Sequence, residues 1–390
     1  MKNEPLAGIR PEVIVWARES AGMTVRDVAR KMKRPLGDIE AWERGDAFPT
    51  YPQLEKLAYE LYKRPLAVFF LPAVPAEILP RSEFRTLPDT DLRALHPDTY
   101  LHIRRAHAFQ LALKDLFGDK NPMGPGIWRK ISLVADKSVT QQAQSIREYL
   151  GITVQLQCTW RDDDNALKNW RSAVEKAGIF VFKSAFKQKE ISGFCLIDTN
   201  LPVIYLNNST TKTRQIFSLL HEMAHLLMSI NGLSKIDKQY IDFLPQAEQK
   251  IERFCNAIAA EVLIPSHDFV DQTAAFPTDI EKAPEEYIAD LSNRYGVSRE
   301  AVLRRLLDSG RVSRNFYERK AREWTAQMKK ITGGSWYLNQ GAYLSDYFAR
   351  EVVARHFRHQ ISMEEASDLL GIKPKNYSGL EERILSGAGA

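Results

Sequence analysis

The sequence predicts an α+β protein that is mostly helical: a short five-helix module first, a small sheet followed at once by a buried helix in the middle, and a helical C-terminal region. Three observations carry this. Residues 5 to 72 hold short apolar runs at helical spacing, punctuated by Gly22, Gly45, Pro52, Pro65 and Pro72. Three strand candidates follow one another at Gly178 to Phe182, Ile191 to Ile197 and Pro202 to Leu206, the last two joined by the turn Asp198-Thr199-Asn200. The run Ile216 to Met228 is apolar around nearly its whole circumference, which predicts a helix buried on all sides.

Composition narrows the class. A chain of 390 residues allows two to four domains, and 44% apolar with 26% charged residues is ordinary for a soluble protein. A formal charge of +5 is too small to announce a nucleic-acid binder. Cys158, Cys195 and Cys255 are scattered and odd in number, which argues for reduced thiols rather than a disulfide framework or zinc ribbon. The N-terminus shows no hydrophobic signal segment, and the longest apolar run near it, Leu66 to Leu71, is too short to span a bilayer. The expectation is a cytoplasmic protein with no membrane partner.

In the first module, helix one runs from Pro11 to Glu19. Thr24 caps helix two with Asp27 completing a capping box, and Val25, Val28, Ala29 and Met32 face inward. Helix three runs from about Leu36 to Arg44 with Leu36, Ile39 and Trp42 inward, and stops at Gly45. Pro52 to Leu61 and Pro65 to Leu71 complete the five. Arg26, Arg30, Lys31, Lys33 and Arg34 cluster around helix two and the turn, where phosphate contact is plausible. Against this, Asp38 and Glu40 lie near the start of helix three, and residues 1 to 64 hold twelve Lys/Arg against ten Asp/Glu, a net of +2. A protein-docking use of the same module therefore stays open.

Residues 73 to 90 are proline-rich and read as a linker. Leu92 to about Leu150 reads as helical, with His102 and His107 as ordinary polar residues on it; Trp160 to Ala177 is a further helix.

The polar exceptions in the buried helix are Ser218, His221, Glu222 and His225, along one narrow strip. His221 and His225, four residues apart, stack on one helix face and can share a zinc ion, with Glu222 between them. Burying two imidazoles and a carboxylate without partners costs several kcal/mol, roughly, and a metal removes that penalty. A third ligand is expected from the next helix, Pro245 to Ile264. Glu252 lies on the flank of its apolar stripe. Glu248 is the main rival, and Glu261, Asp242 and His267 are weaker ones. Asn256, one turn past Glu252, is placed to hydrogen-bond a ligand.

The segment Pro202 to Pro265 resembles the ImmA/IrrE family of zinc metallopeptidases. The matching residues are Pro202-Val203-Ile204-Tyr205-Leu206-Asn207, Phe217 to Leu227 around His221-Glu222-Met223-Ala224-His225, and Glu252 to Pro265. Cys255 stands where the family usually has alanine, and Ile258 where it favours phenylalanine. The resemblance implies a zincin-like domain with His221, His225 and Glu252 as zinc ligands and Glu222 as catalytic base. It also implies a protein substrate, a transcriptional repressor inactivated by limited proteolysis. Gly22-Met23-Thr24, Val28-Ala29 and Ile39 to Gly45 resemble the helix-turn-helix domain of Xre-type phage repressors, which implies double-stranded DNA as a further partner, met by helix three.

Past Pro265, Tyr287 to Leu291 and Glu300 to Leu307, turned at Gly296 and capped by Ser298, form a second helix-turn-helix shape expected to pack on the peptidase segment. Ser345 to His359 and Ser362 to Leu370 form a last pair, with His356 and His359 read as surface residues. The expected domains are 1–72, a linker at 73–90, a metallopeptidase at 91–280, the packed helical segment at 281–330 and a C-terminal region at 331–390. The expected activity is that of a zinc-dependent endopeptidase; the alternative is a DNA-binding regulator whose metal domain senses or stabilises. The oxyanion donor is open among Tyr205, Tyr240 and Arg214.

Overall fold

A computed structural model describes residues 4–76, 95–160, 162–235, 241–242, 244–274, 276–277, 279–327 and 343–386, without the side chains of 233–235. The chain divides into two units, residues 1–105 with 186–188, and residues 106–185 with 189–390.

The first unit opens with α1 (Pro11–Ser20), α2 (Val25–Met32) and α3 (Leu36–Arg44). Pro11 starts α1, where its missing N–H costs nothing. Thr24 and Asp27 form the expected capping box on α2. Gly45, at φ +81°, ends α3 in a left-handed conformation that side chains disfavour. Helix α4 (Tyr51–Glu55) runs on as a π-helical stretch, Lys56–Tyr62, and a 3-10 turn follows at Leu66–Phe70. Val13, Ile14, Val28, Ile39, Leu57 and Phe69 fill the core. A bidentate pair, Arg18 with Glu43 at 2.6 and 3.1 Å, ties α1 to α3. Leu36, expected inward, is 40% exposed: it is the first residue of α3, where the helix has not yet turned its stripe to the core. Of the expected linker, residues 77–90 lie outside the described residues.

The start of α5 (Pro97–Phe117), through Arg105, belongs to this unit. There His102 is not the ordinary polar residue expected. It is buried, stacks on Phe186 at 4.4 Å and lies 3.3 Å from Asp98.

The second unit is built on a four-stranded sheet of order β1-β3-β2-β4: β1 (Phe180–Ser184), β2 (Ile191–Leu196), β3 (Val203–Asn207) and β4 (Leu233–Lys235). β1 pairs parallel with β3, while β2 pairs antiparallel with both β3 and β4. Asp198 closes the β2–β3 turn by accepting from the N–H groups of Asn200 and Leu201. The first three strands are buried on both faces, hence their unbroken apolar sequence. On one face Phe182 stacks on Phe109 at 4.1 Å and meets Phe348 edge-on, while Phe194 stacks on Tyr205 at 5.2 Å. The other face sends Val181, Cys195, Ile204 and Leu206 into the main helical core.

That core is formed by α6 (Val139–Leu150), α7 (Asp163–Lys176), α8 (Lys212–Leu227) and α9 (Gln246–Leu263), followed by α10 (Ser266–Thr273), α11 (Glu286–Tyr295), α12 (Arg299–Asp308) and α13 (Arg314–Gln327). After the undescribed 328–342 come α14 (Asp346–Phe357), α15 (Met363–Leu370) and α16 (Tyr377–Leu385). The region expected to be helical up to Leu150 is not continuous. Gly118, Pro122, Gly124, Pro125 and Gly126 fall between α5 and α6 and leave only a 3-10 turn at Ile127–Arg129. α7 begins at Asp163, not Trp160, because Asp162 caps it by accepting from Asn165 N–H at 2.8 Å. α11 and α12 pack into the core of this unit, through Leu291, Tyr295, Val302 and Leu306. Among the described residues, no helix is long and apolar enough to cross a membrane.

Candidate metal centre

Helix α8 is capped by Thr211 and buried at nearly every position from Gln215 to Leu227. Its only polar strip therefore faces inward, toward α9. His221 and His225 bring their Nε2 atoms to 3.0 Å of each other. Glu252, buried on α9, closes the triangle: its two oxygens lie 3.3 Å from His221 Nε2 and 3.2 Å from His225 Nε2. The three ligand atoms fall within 4.8 Å of one another.

Two metal–ligand bonds of about 2.1 Å at a tetrahedral angle leave the ligand atoms about 3.4 Å apart. The observed separations fit that spacing. The donor set, two imidazoles and a carboxylate, leaves a fourth position open, as in catalytic rather than structural sites. Burial works to raise the Glu252 carboxyl, but the charges and hydrogen bonds of His225 and His221 outweigh it and hold the group well below the ordinary carboxylate range. It is anionic and ready to ligate. Glu222 is fully buried beside the triangle and is not one of its three ligands.

Residues 174–307 match the family model of the IrrE N-terminal-like domain, Peptidase_M78. The matched stretch runs from the end of α7 through the sheet, α8 and α9 to α12, so it contains the whole triangle and Glu222. This IrrE-like segment is similar to a metallopeptidase domain of the ImmA/IrrE type. No curated protein matches the chain.

The rival ligands stand elsewhere. Glu248 has a buried oxygen with no hydrogen-bond partner among the described residues, and it does not reach the triangle. Glu261 is bound by Arg305 and by Ser266, whose N–H and hydroxyl donate to it at 2.8 and 2.7 Å. Asp242 pairs with Arg253 at 2.9 Å, and His267 is exposed. Asn256, expected to steady a ligand, is half-buried, and its side chain makes no hydrogen bond among the described residues. The neighbouring Cys255 is buried, its thiol 3.7 Å from Met228 Sδ at the end of α8.

Of the oxyanion candidates, Tyr205 is on the wrong side of the sheet, stacked on Phe194 away from α8. Tyr240 lies outside the described residues. Arg214 remains on the strip of α8, its guanidinium 5.5 Å from the Phe217 ring, which in turn stacks on His221 at 6.2 Å.

Two contributors escaped the sequence. Cys195 is fully buried on β2, where its Sγ accepts from the Gly232 N–H at 3.2 Å. Gly232 lies against the site so closely that a Cβ there would stand 2.6 Å from His225 Cδ2 and 2.9 Å from Glu222 Oε2. Neither belongs to a local pattern; both arrive through the pairing of β2 with the backbone around β4.

In the first unit Arg26, Arg30, Lys31, Lys33 and Arg34 are all exposed. Arg30 pairs with Asp27 and Arg34 with Asp38, each at 2.8 Å, so two of the five are already answered by carboxylates.

Proposed function

We propose that the chain is a zinc-dependent endopeptidase that regulates transcription by limited proteolysis of a repressor in the cytoplasm. The observation that carries this is a tetrahedrally spaced His221–His225–Glu252 triangle with an unligated, buried carboxylate, Glu222, beside it. A zinc ion held there would acidify a bound water and polarise the scissile carbonyl. Glu222 takes the proton of the attacking water and passes it to the leaving amine. Glu252 stays anionic and balances the cation. β4, the outer strand of the sheet among the described residues, follows directly on Gly232 and offers backbone groups to an extended peptide beside the site.

The N-terminal helices serve as a helix-turn-helix module of the Xre type that binds DNA or docks the repressor, raising the peptidase's local concentration. The alternative is a DNA-binding regulator whose metal domain senses or stabilises with little turnover. Glu222 speaks against it, since a structural site has no use for a buried carboxylate beside the ligands that is not one of them.

The deciding experiment incubates wild type and Glu222→Gln with the repressors encoded nearby, with and without chelator, and weighs the fragments by mass spectrometry. Glu222→Gln is expected to keep one zinc per chain and to lose about 10²–10⁴-fold in cleavage rate. Undiminished cleavage by that variant refutes the mechanism. Zinc binding without cleavage of any repressor by wild type favours the regulator.

A further inference from the structure

The glycine- and proline-rich stretch between α5 and α6 does more than interrupt a helix. Together with the β2–β3 turn it walls a cavity of about 320 Å³, whose lining includes Lys120, Pro125, Gly126, Trp128, Arg129 and Asn200. That volume is at the lower end of small-molecule sites. The wall is braced. Asn121 donates from Nδ2 to the Gly178 and Asn200 carbonyls, both at 2.7 Å, and accepts the Met123 N–H at 3.0 Å. The Trp128 indole N–H donates to the Thr199 carbonyl at 3.2 Å. Its six-membered ring lies on Gly126 and Gly178, where a Cβ would stand 2.0 and 3.2 Å from it. At 2.0 Å no side chain fits, so glycine at 126 is what lets the indole settle there, half-exposed at the cavity. The charge is one-sided. Lys120 and Arg129 are exposed, and neither has a carboxylate partner among the described residues. Arg129 donates to a neutral acceptor, Asn200 Oδ1 at 2.6 Å, which orients the guanidinium without answering its charge. The acid of that turn, Asp198, is bound by Lys114 at 2.8 Å and by the N–H groups of Asn200 and Leu201.

We propose that this cavity is a binding site for a small planar anion: an aromatic ring that packs on Trp128 and carries a phosphate or carboxylate held by Arg129 and Lys120. Guanidinium matches both kinds of anion in its fork of donors. An indole already fixed and a guanidinium already oriented lose little freedom on binding, which favours affinity in so small a site. Stacking tolerates any flat ring, so a nucleotide and an aromatic acid present the same chemistry here. None of these residues belongs to the His221–His225–Glu252 triangle, and the site stands independently of the peptidase reading.

The test titrates the full chain by isothermal calorimetry with adenosine monophosphate, naphthoate, adenosine and inorganic phosphate. At least one of the two ring-bearing anions is expected to bind at a single site per chain, about tenfold or more tighter than adenosine or phosphate alone. Which of the two binds tells a nucleotide from an aromatic acid. Arg129→Ala is expected to weaken that binding about tenfold, and Trp128→Leu by about as much. Arg129 is on the surface, so its variant decides the matter even if circular dichroism shows Trp128→Leu unfolded. Absence of saturable binding by both ring-bearing anions overturns the proposal. So does binding left unchanged by Arg129→Ala or by a folded Trp128→Leu. Phosphate that binds as tightly as the ring-bearing anions reduces the cavity to a charged surface, and overturns it as well.

Discussion

Glu252 and Glu261 sit on one helix, α9, both buried and both held below the ordinary carboxylate range, yet the two ends of that helix do different things. Burial works to raise each. At Glu261 it is outweighed by the hydrogen bonds of Ser266 and Arg305, a backbone N–H, a hydroxyl and a permanent cation. At Glu252 it is outweighed by the imidazoles of His225 and His221. The first carboxylate has every partner it needs inside the protein. The second is answered by two rings whose nitrogens stand 3.0 Å apart and compete for the same space until a cation lies between them. A clasp and a ligand differ in whether the countercharge is built in.

The largest expected effect breaks the ligand end. Glu252→Ala removes one of three donors and should lower zinc affinity well beyond the roughly 10–100-fold that loss of a ligand's hydrogen-bonding neighbour costs. A competitive chelator titration measures it. Retained affinity would mean that Glu248, one turn earlier with an unpartnered oxygen, takes over, and the contrast drawn on α9 would fall.

Glu261→Ala should do the reverse, leaving zinc affinity unchanged and costing about 2–3 kcal/mol of stability, because Arg305 loses its buried carboxylate. The sign with pH follows from the depressed folded value. The contribution of Glu261 is complete above the unfolded carboxylate pKa of about 4.3, and is lost as pH falls below it through the folded value. Thermal unfolding of wild type and variant should therefore differ by a constant amount at neutral pH and converge below about pH 4. A gap that persists in acid would assign the loss to packing instead of to the ion pair.

This contrast also marks what could be read from the chain alone. His221, Glu222 and His225 were legible because helical spacing is a local rule, and four residues suffice to state it. Glu252 was legible only as one acid among several, and the resemblance narrowed the choice. Side-chain hydrogen bonds at the flank of a stripe are finer than periodicity resolves: Asn256 was expected to hold a ligand, and its side chain makes no hydrogen bond among the described residues. The breaks between α5 and α6 were written in Gly118, Pro122, Gly124, Pro125 and Gly126, and a helical reading passed over them. Cys195 and Gly232 had no signal at all, since strand register joins residues 37 positions apart and no single sequence states a register.

Gly232→Ala probes that register with a smaller effect. The added carbon would meet the His225 ring and Glu222 Oε2, and neither can retreat from a packed core. Zinc affinity should fall about tenfold, with roughly 1–3 kcal/mol of stability lost. Wild-type affinity in this variant would show that the backbone before β4 yields to the added carbon.

The smallest effect belongs to the first unit, where Arg26, Arg30, Lys31, Lys33 and Arg34 are exposed. Removing the exposed Arg34–Asp38 pair by Arg34→Ala should change stability by less than about 1 kcal/mol, unlike the buried pair at Glu261. The same surface separates the two uses of the module. If Arg26, Lys31 and Lys33, which carry no carboxylate partner among the described residues, meet phosphates, replacing all three by Ala should reduce the slope of log affinity against log salt by about 3. If the module docks a protein through its helices, the triple variant should leave repressor cleavage unchanged, whereas deletion of residues 1–75 should slow cleavage of the repressor and spare that of an unstructured peptide. A buried cluster announces its ligand by what it lacks, while a solvated patch has to be asked.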